Sequence, residues 1–238
     1  ADLPREYWHT HDPFVGLAAA AAVTTNLKVG TGIALVTERD PILMAKPVAT
    51  LDHISNGRLI LGVGAGWNAE EMENHGTPFA SRWKVLRERI LAMKAIWTDE
   101  AAEFHGDYVD FDPLWSYPKP KQAGGPPILL GAASKYMHKR IAEYCDGWFP
   151  IYQDEARAAA AGATDYSESM RLTREAWDSA GRSGSPNSTI FGVGHDPAAV
   201  ERCLAHGFDR IVFALPPAGA DEVLPMIERY AALKKQFD

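Results

Sequence analysis

A chain of 238 residues, 46% hydrophobic and 23% charged, can bury a sizeable core and is too apolar for intrinsic disorder. Its formal net charge of -7 is spread along the chain without a long basic run, which argues against nucleic acid or an anionic membrane as partner and leaves small molecules. Cys145 and Cys203 are too few for a disulfide framework or a thiolate cluster, no leader or bilayer-length apolar run stands out, and a cytoplasmic protein is expected.

The opening "ADLPREYWHTHDP" reads as loop, with Pro4 and Pro13 among polar residues. A helical pattern near 14–25 precedes a strand, "LKVGTGIALV" at 27–36, whose Gly30 and Gly32 weaken it unless a bulge or a close approach requires them. Then come a helix at 41–53, the strand "RLILGVG" at 58–64 and a helix at 79–97. Residues 98–127 break the rhythm: aromatic and Pro-rich, they contain "EFHGDYVDF", a hairpin pattern turning at Gly106–Asp107. Such an insertion serves either as a pocket wall or as a surface excursion. Beyond it, strands at 127–131, 147–151, 188–193 and 210–215 alternate with helices at 134–144, 154–180, 196–206 and 221–235.

The strands are continuous apolar runs, as expected of parallel strands covered on both faces by crossover helices. The class is therefore α/β. Six strand–helix units are legible, and they fit either an open six-stranded sheet or an eight-stranded (β/α) barrel with two units not in view.

"GVGAGWNAEE" tests as a dinucleotide fingerprint and fails, because Trp67 stands where a third glycine must let helix and strand approach. No Lys-Ser or Lys-Thr follows, so it is not a P-loop. What remains is a strand ending in glycines, with Asn68 as N-cap and Glu71 three positions later. The acidic "NAEEME" start makes this helix a poor phosphate site, so its glycines suit a ring or a sugar. In "ILLGAASKYMHKR", by contrast, Ser134 and Lys135 follow Gly131 near a helix start, which suits an anion as well as it suits an ordinary βα turn. The eight histidines show no metal-ligand spacing, and no metal is expected.

Taken in order, "DPILMAKPVATLDHISNGRLILGVGAGWNAEEMENHGTPFASR", "LRERILAMKAIWT", "FHGDYVDF", "PKPKQAGGPPILLGAAS" and "YCDGWFPI" resemble the bacterial luciferase-like monooxygenase superfamily, and within it the F420-dependent (deazaflavin) oxidoreductases. The resemblance implies a (β/α)8 TIM barrel, here a single domain over 1–238 carrying strands three to eight, with the first two β/α units either lacking or not included in this sequence, and an insertion at about 98–127. It implies a non-prolyl cis peptide at Gly32–Ile33 supporting the cofactor ring, Ala65 and Gly66 at the ring or ribityl portion, and the turn of Gly131, Ala132, Ser134 and Lys135 at the phosphate. Trp67, Asn68 and Trp148 would line the substrate pocket. The sequence departs from its relatives at Ala132, where many have glycine, and at Trp67, where sugar-phosphate dehydrogenases of this kind carry a catalytic Glu. No catalytic residue is assigned.

The expected function is hydride transfer between coenzyme F420 and a small organic substrate. The alternatives are an FMN-dependent luciferase-like monooxygenase served by a separate cofactor reductase, and a non-catalytic flavin- or deazaflavin-binding storage protein. A homodimer is expected, as the resemblance implies.

Overall fold

The computed structural model describes residues 5–154, 162 and 164–237, which fall into two compact units. The first comprises His11–Gly131 with Glu143–Asp146, and the second residues 132–142 and 147–237 with 5–10.

In the first unit, β3 (Leu59–Gly64) is central. It pairs in parallel with β1 (Val29–Gly30), with β2 (Ala34–Leu35) and with β6 (Ile128–Leu130). Leu59, Leu61, Val63, Ile128 and Leu130 are fully buried, as strands covered on both faces must be. Beside them α3 (Pro41–Ile54), with Met44, Val48 and Leu51 buried, packs against α5 (Arg82–Thr98), with Leu86, Ile90 and Met93 buried. The single strand expected at 27–36 is interrupted: a cis peptide at Gly32–Ile33 separates β1 from β2, and a 3-10 turn at Val36–Glu38 follows.

Helix starts repeat one device. Asp12, Asp40 and Asp196 each accept hydrogen bonds from backbone N–H groups of the first turn, and each precedes a proline at the first helical position. They open α2 (Pro13–Ala22) and α3 in the first unit and α8 (Pro197–Ala205) in the second. The opening segment, expected to be loop, forms one helical turn, α1 (Arg5–Trp8).

The insertion contains the expected hairpin, β4 (Ala102–His105) and β5 (Asp110–Leu114), antiparallel. It is fastened to α5 by Glu88, 8% exposed, whose carboxylate accepts from the N–H groups of Asp107 (3.1 Å), Tyr108 (2.6 Å) and Val109 (3.0 Å). Gly106 is required there, since a Cβ would fall 2.4 Å from Glu88 Oε2.

In the second unit, β7 (Gly147–Trp148), β8 (Asn187–Val193) and β9 (Arg210–Phe213) run parallel. The strand expected over 147–151 stops at Trp148, apart from a bridge between Ile151 and Phe191. Around these strands lie α6 (Met137–Tyr144), α7 (Tyr166–Ser179), α8 and α9 (Ala220–Lys234). Of the helix expected over 154–180, residues 155–161 and 163 lie outside the described residues. Asp209 fixes the start of β8 by accepting from both the N–H and the hydroxyl of Ser188. Among the described residues no helix is long and apolar enough to cross a membrane.

Candidate active site

The link from β1 to β2 and the carboxyl ends of β3 and β6 carry the residues singled out in the first unit. Ile33, just before β2, lies over the ends of β3 and β6. A Cβ on Gly64 would fall 1.9 Å from Ile33 Cδ1, and one on Gly131 would fall 3.1 Å from Ile33 Cγ2. These two glycines therefore form a seat for an aliphatic side chain. The absence of a side chain at Gly64 is thus accounted for inside the chain itself. Ile33 remains 38% exposed on its other side.

The exit from β3 is held by two threonines. Thr37 Oγ1 donates to Ala65 O (3.2 Å), and Thr77 Oγ1 donates to Thr37 O (2.7 Å). Ala65 is buried, while Gly66 has φ of 81°, the left-handed region that favours glycine. The following Trp67 is 64% exposed. Asn68 caps α4 (Ala69–Asn74), with Oδ1 accepting from Glu71 N–H at 3.4 Å, and Glu70 and Glu71 occupy the acidic first turn. Gly32, Ile33, Ala65, Gly66, Trp67, Asn68 and Gly131 thus belong to one unit.

Glu38 was not singled out by its sequence context. Its Oε1 is buried without a hydrogen-bond partner, 3.7 Å from where a Cβ of Gly66 would stand. Burial raises its pKa above the ordinary glutamate value, and the nearby Glu71 carboxylate adds to the rise, against a smaller lowering by His75 and Arg39.

In the second unit, Ala132, Ser134 and Lys135 form a turn, and the helix expected to open near Ser134 begins at Met137. The reason is local: Ser134 O accepts from Met137 N–H (2.9 Å), closing a turn first. Ser134 Oγ accepts from Arg140 Nη1 (3.1 Å), and the cations of Lys135 and Arg140 lie 5.1 and 5.7 Å from the Tyr136 ring centroid. Arg140, six residues from Ser134, had no spacing signal to reveal it.

Trp148 differs from its expected place on a pocket wall. At 1% exposure it is a core residue, with ring centroids of Tyr166 and Phe208 at 6.0 and 5.8 Å. Its Nε1 donates to Ala132 O (2.8 Å), so it braces the Ala132 turn from beneath. Cys203 is buried too, and desolvation pushes its thiol up to about 11, which makes it unreactive at neutral pH. Among the described residues no cluster of three or more His, Cys, Asp or Glu could hold a metal ion.

Residues 4–202 match the model of the family described as luciferase-like monooxygenase, and the chain belongs to that family. The family contains flavin- and F420-dependent oxidoreductases and monooxygenases, and this protein is an oxidoreductase of that kind. Rv0953c of Mycobacterium tuberculosis, an uncharacterized protein, is 39% identical over 233 residues, 98% of this chain and 79% of its own length. An F420-dependent glucose-6-phosphate dehydrogenase of Amycolatopsis mediterranei is 29% identical over 71% of this chain and 57% of its own. An FMNH(2)-dependent dimethylsulfone monooxygenase of Pseudomonas putida is 34% identical over 55% of this chain and 37% of its own. The fold is that of the monooxygenase RslO1 from Streptomyces bottropensis, at a TM-score of 0.82 and 19% identity, over 95% of this chain and 83% of that one. The α/β barrel class implied by the sequence resemblance is therefore the class observed.

Proposed function

We propose that this protein moves a hydride between coenzyme F420 and a small organic substrate at the link from β1 to β2 and the carboxyl end of β3. The observation that carries the reading is the seat of Ile33: held over Gly64 and Gly131 and exposed on its other side, it offers an uncharged platform on which a planar ring can lie. Gly32 and Ile33 would back that ring, and Ala65 and Gly66 would meet its ribityl side. When bound, the deazaflavin supplies the hydride chemistry. The chain's own contribution is orientation and an apolar surround, with Trp67 and Asn68 on the substrate side. By its own cations, Lys135 and Arg140 around Ser134, the turn after Gly131 suits a phosphate.

F420 is preferred because the relative named for it matches more of this chain than the relative named for FMN, 71% against 55%. The higher identity of the latter, 34% against 29%, favours the second reading, an FMN-dependent monooxygenase with a partner reductase. Titration of the protein with F420 and with FMN, followed by the cofactor's absorbance, separates them. Saturable binding of F420 is expected, with bleaching in the presence of a reductant substrate. Binding of FMN alone would move the assignment to the monooxygenase, binding without turnover by any substrate would favour storage, and binding of neither would end both readings. A homodimer is proposed alongside, to be read by sedimentation.

The Ile33 seat has its own test. Gly64→Ala puts a methyl 1.9 Å from the present position of Ile33 Cδ1, so the end of the Ile33 side chain must turn and the platform changes shape. Cofactor affinity is expected to fall about tenfold, equivalent to about 1.4 kcal/mol. Unchanged affinity would mean that Ile33 does not back the ring.

A further inference from the structure

We propose that Glu38 is a positioning residue for the turn that leaves β3: uncharged, it seats Gly66 and with it Trp67, and ionised, it loosens them. The inference rests on the reading that places Trp67 on the substrate side. Four observations support it. Glu38 Oε1 is buried with no hydrogen-bond partner, so a charge on that oxygen has no donor to replace the water it loses. It packs against Gly66, 3.7 Å from the missing Cβ, and Met72 Sδ lies 3.1 Å from the same point, so carboxyl, glycine and α4 form one contact. Gly66 is left-handed and directly precedes an indole 64% exposed, so a small rotation at the glycine is passed straight to Trp67. Finally, burial and the neighbouring Glu71 carboxylate both oppose ionisation of Glu38.

The charged groups around Glu38 decide the direction. From α4 and its C-terminal end come Glu71, which opposes ionisation, and His75, which favours it; Arg39, the next residue, also favours it. On the far side of the 3-10 turn, Arg89 of α5 donates to Val36 O and feels the charge of Asp40. Because the folded-state pKa lies above the unfolded value, the protonated form is the one the fold prefers. That preference is fully present below the unfolded pKa and is lost as pH rises through the folded pKa. Glu38→Gln removes the charge permanently and should therefore raise the Tm at neutral pH, with no gain in acid.

The test is a pH titration of Trp67 emission, taken as the difference between the wild type and Trp67→Phe, together with the Kd for F420 and for FMN at each pH. The expected result is one transition in the Trp67 signal, with weaker cofactor binding on its alkaline side. The transition is absent in Glu38→Gln and displaced to lower pH in Glu71→Gln, whose substituted side chain is exposed. It persists in His75→Gln, displaced to higher pH. A transition that survives in Glu38→Gln, or that disappears in His75→Gln, overturns the inference. So does a flat Trp67 signal in the wild type. If neither cofactor binds at any pH, the functional reading falls while the Trp67 transition still decides the role of Glu38.

Discussion

Replacing Arg58 by alanine is expected to lower the unfolding free energy by about 3 kcal/mol, one of the two largest losses from a single side chain outside the site. Its guanidinium makes five hydrogen bonds. Nε donates to Ser55 O (2.6 Å), Nη1 to Leu27 O (2.5 Å) and Thr24 Oγ1 (3.0 Å), and Nη2 to Ala21 O (2.8 Å) and Thr24 O (2.9 Å). Ala21 and Thr24 stand at the end of α2, where carbonyls have no partner within the helix and the dipole favours a cation. Arg58 also opens β3, so one side chain ties α2 to the strand that ends in the candidate site. Lysine keeps the charge and loses the fork, and Arg58→Lys is expected to recover less than half of the loss. Urea unfolding measures both variants; a loss below about 1 kcal/mol in the alanine variant would mean that water replaces the guanidinium at these carbonyls.

The same region shows what the sequence could and could not disclose. Helix starts were legible wherever a residue type alone makes them: the Asp-Pro pairs at Asp12, Asp40 and Asp196 stand within two residues of the expected boundaries. The hairpin within 98–127 was legible from Gly106–Asp107 and the alternation around it. The break between β1 and β2 was not, because the apolar run from Leu27 to Val36 continues across it and only the peptide geometry at Gly32–Ile33 interrupts the pairing. Gly64 was read as room for a ligand, whereas the nearest claimant is Ile33, far away in sequence and adjacent only once β2 has paired with β3. A pocket place for Trp148 comes from the resemblance alone; which way the ring points depends on α7 and on the loop before β9, supplying Tyr166 and Phe208, and no local pattern encodes it. Glu38 and Arg140 were missed for a related reason, since each matters through a neighbour brought in by folding.

The second large loss is expected at Asp52, near the end of α3 and 0% exposed. Its Oδ2 accepts from Gln122 N–H and its Oδ1 from Gln122 Nε2, both at 2.8 Å, while Gln122 Nε2 also donates to Leu59 O at 2.9 Å. The carboxylate thus holds the Pro-rich return of the insertion against α3 and the start of β3. Lys119 and Gly125 fasten the same stretch at either side, the first by donating to Ile96 O, the second by lying under the Trp97 ring. Asp52→Ala leaves a buried N–H and a side-chain amide short of acceptors, and the expected cost is about 3 kcal/mol. Asp52→Asn should cost nearly as much, because one of its two terminal atoms becomes a donor facing a donor. Gln122→Ala removes the donor to Oδ1 while the backbone N–H still serves Oδ2, so the two single losses together should exceed what the double variant loses, with a coupling above about 1 kcal/mol in a double-mutant cycle. Hydrogen exchange distinguishes this account from a general weakening of α3: protection should vanish first over 119–125, and uniform loss across α3 and β3 would show that Asp52 supports the core and not the return segment of the insertion.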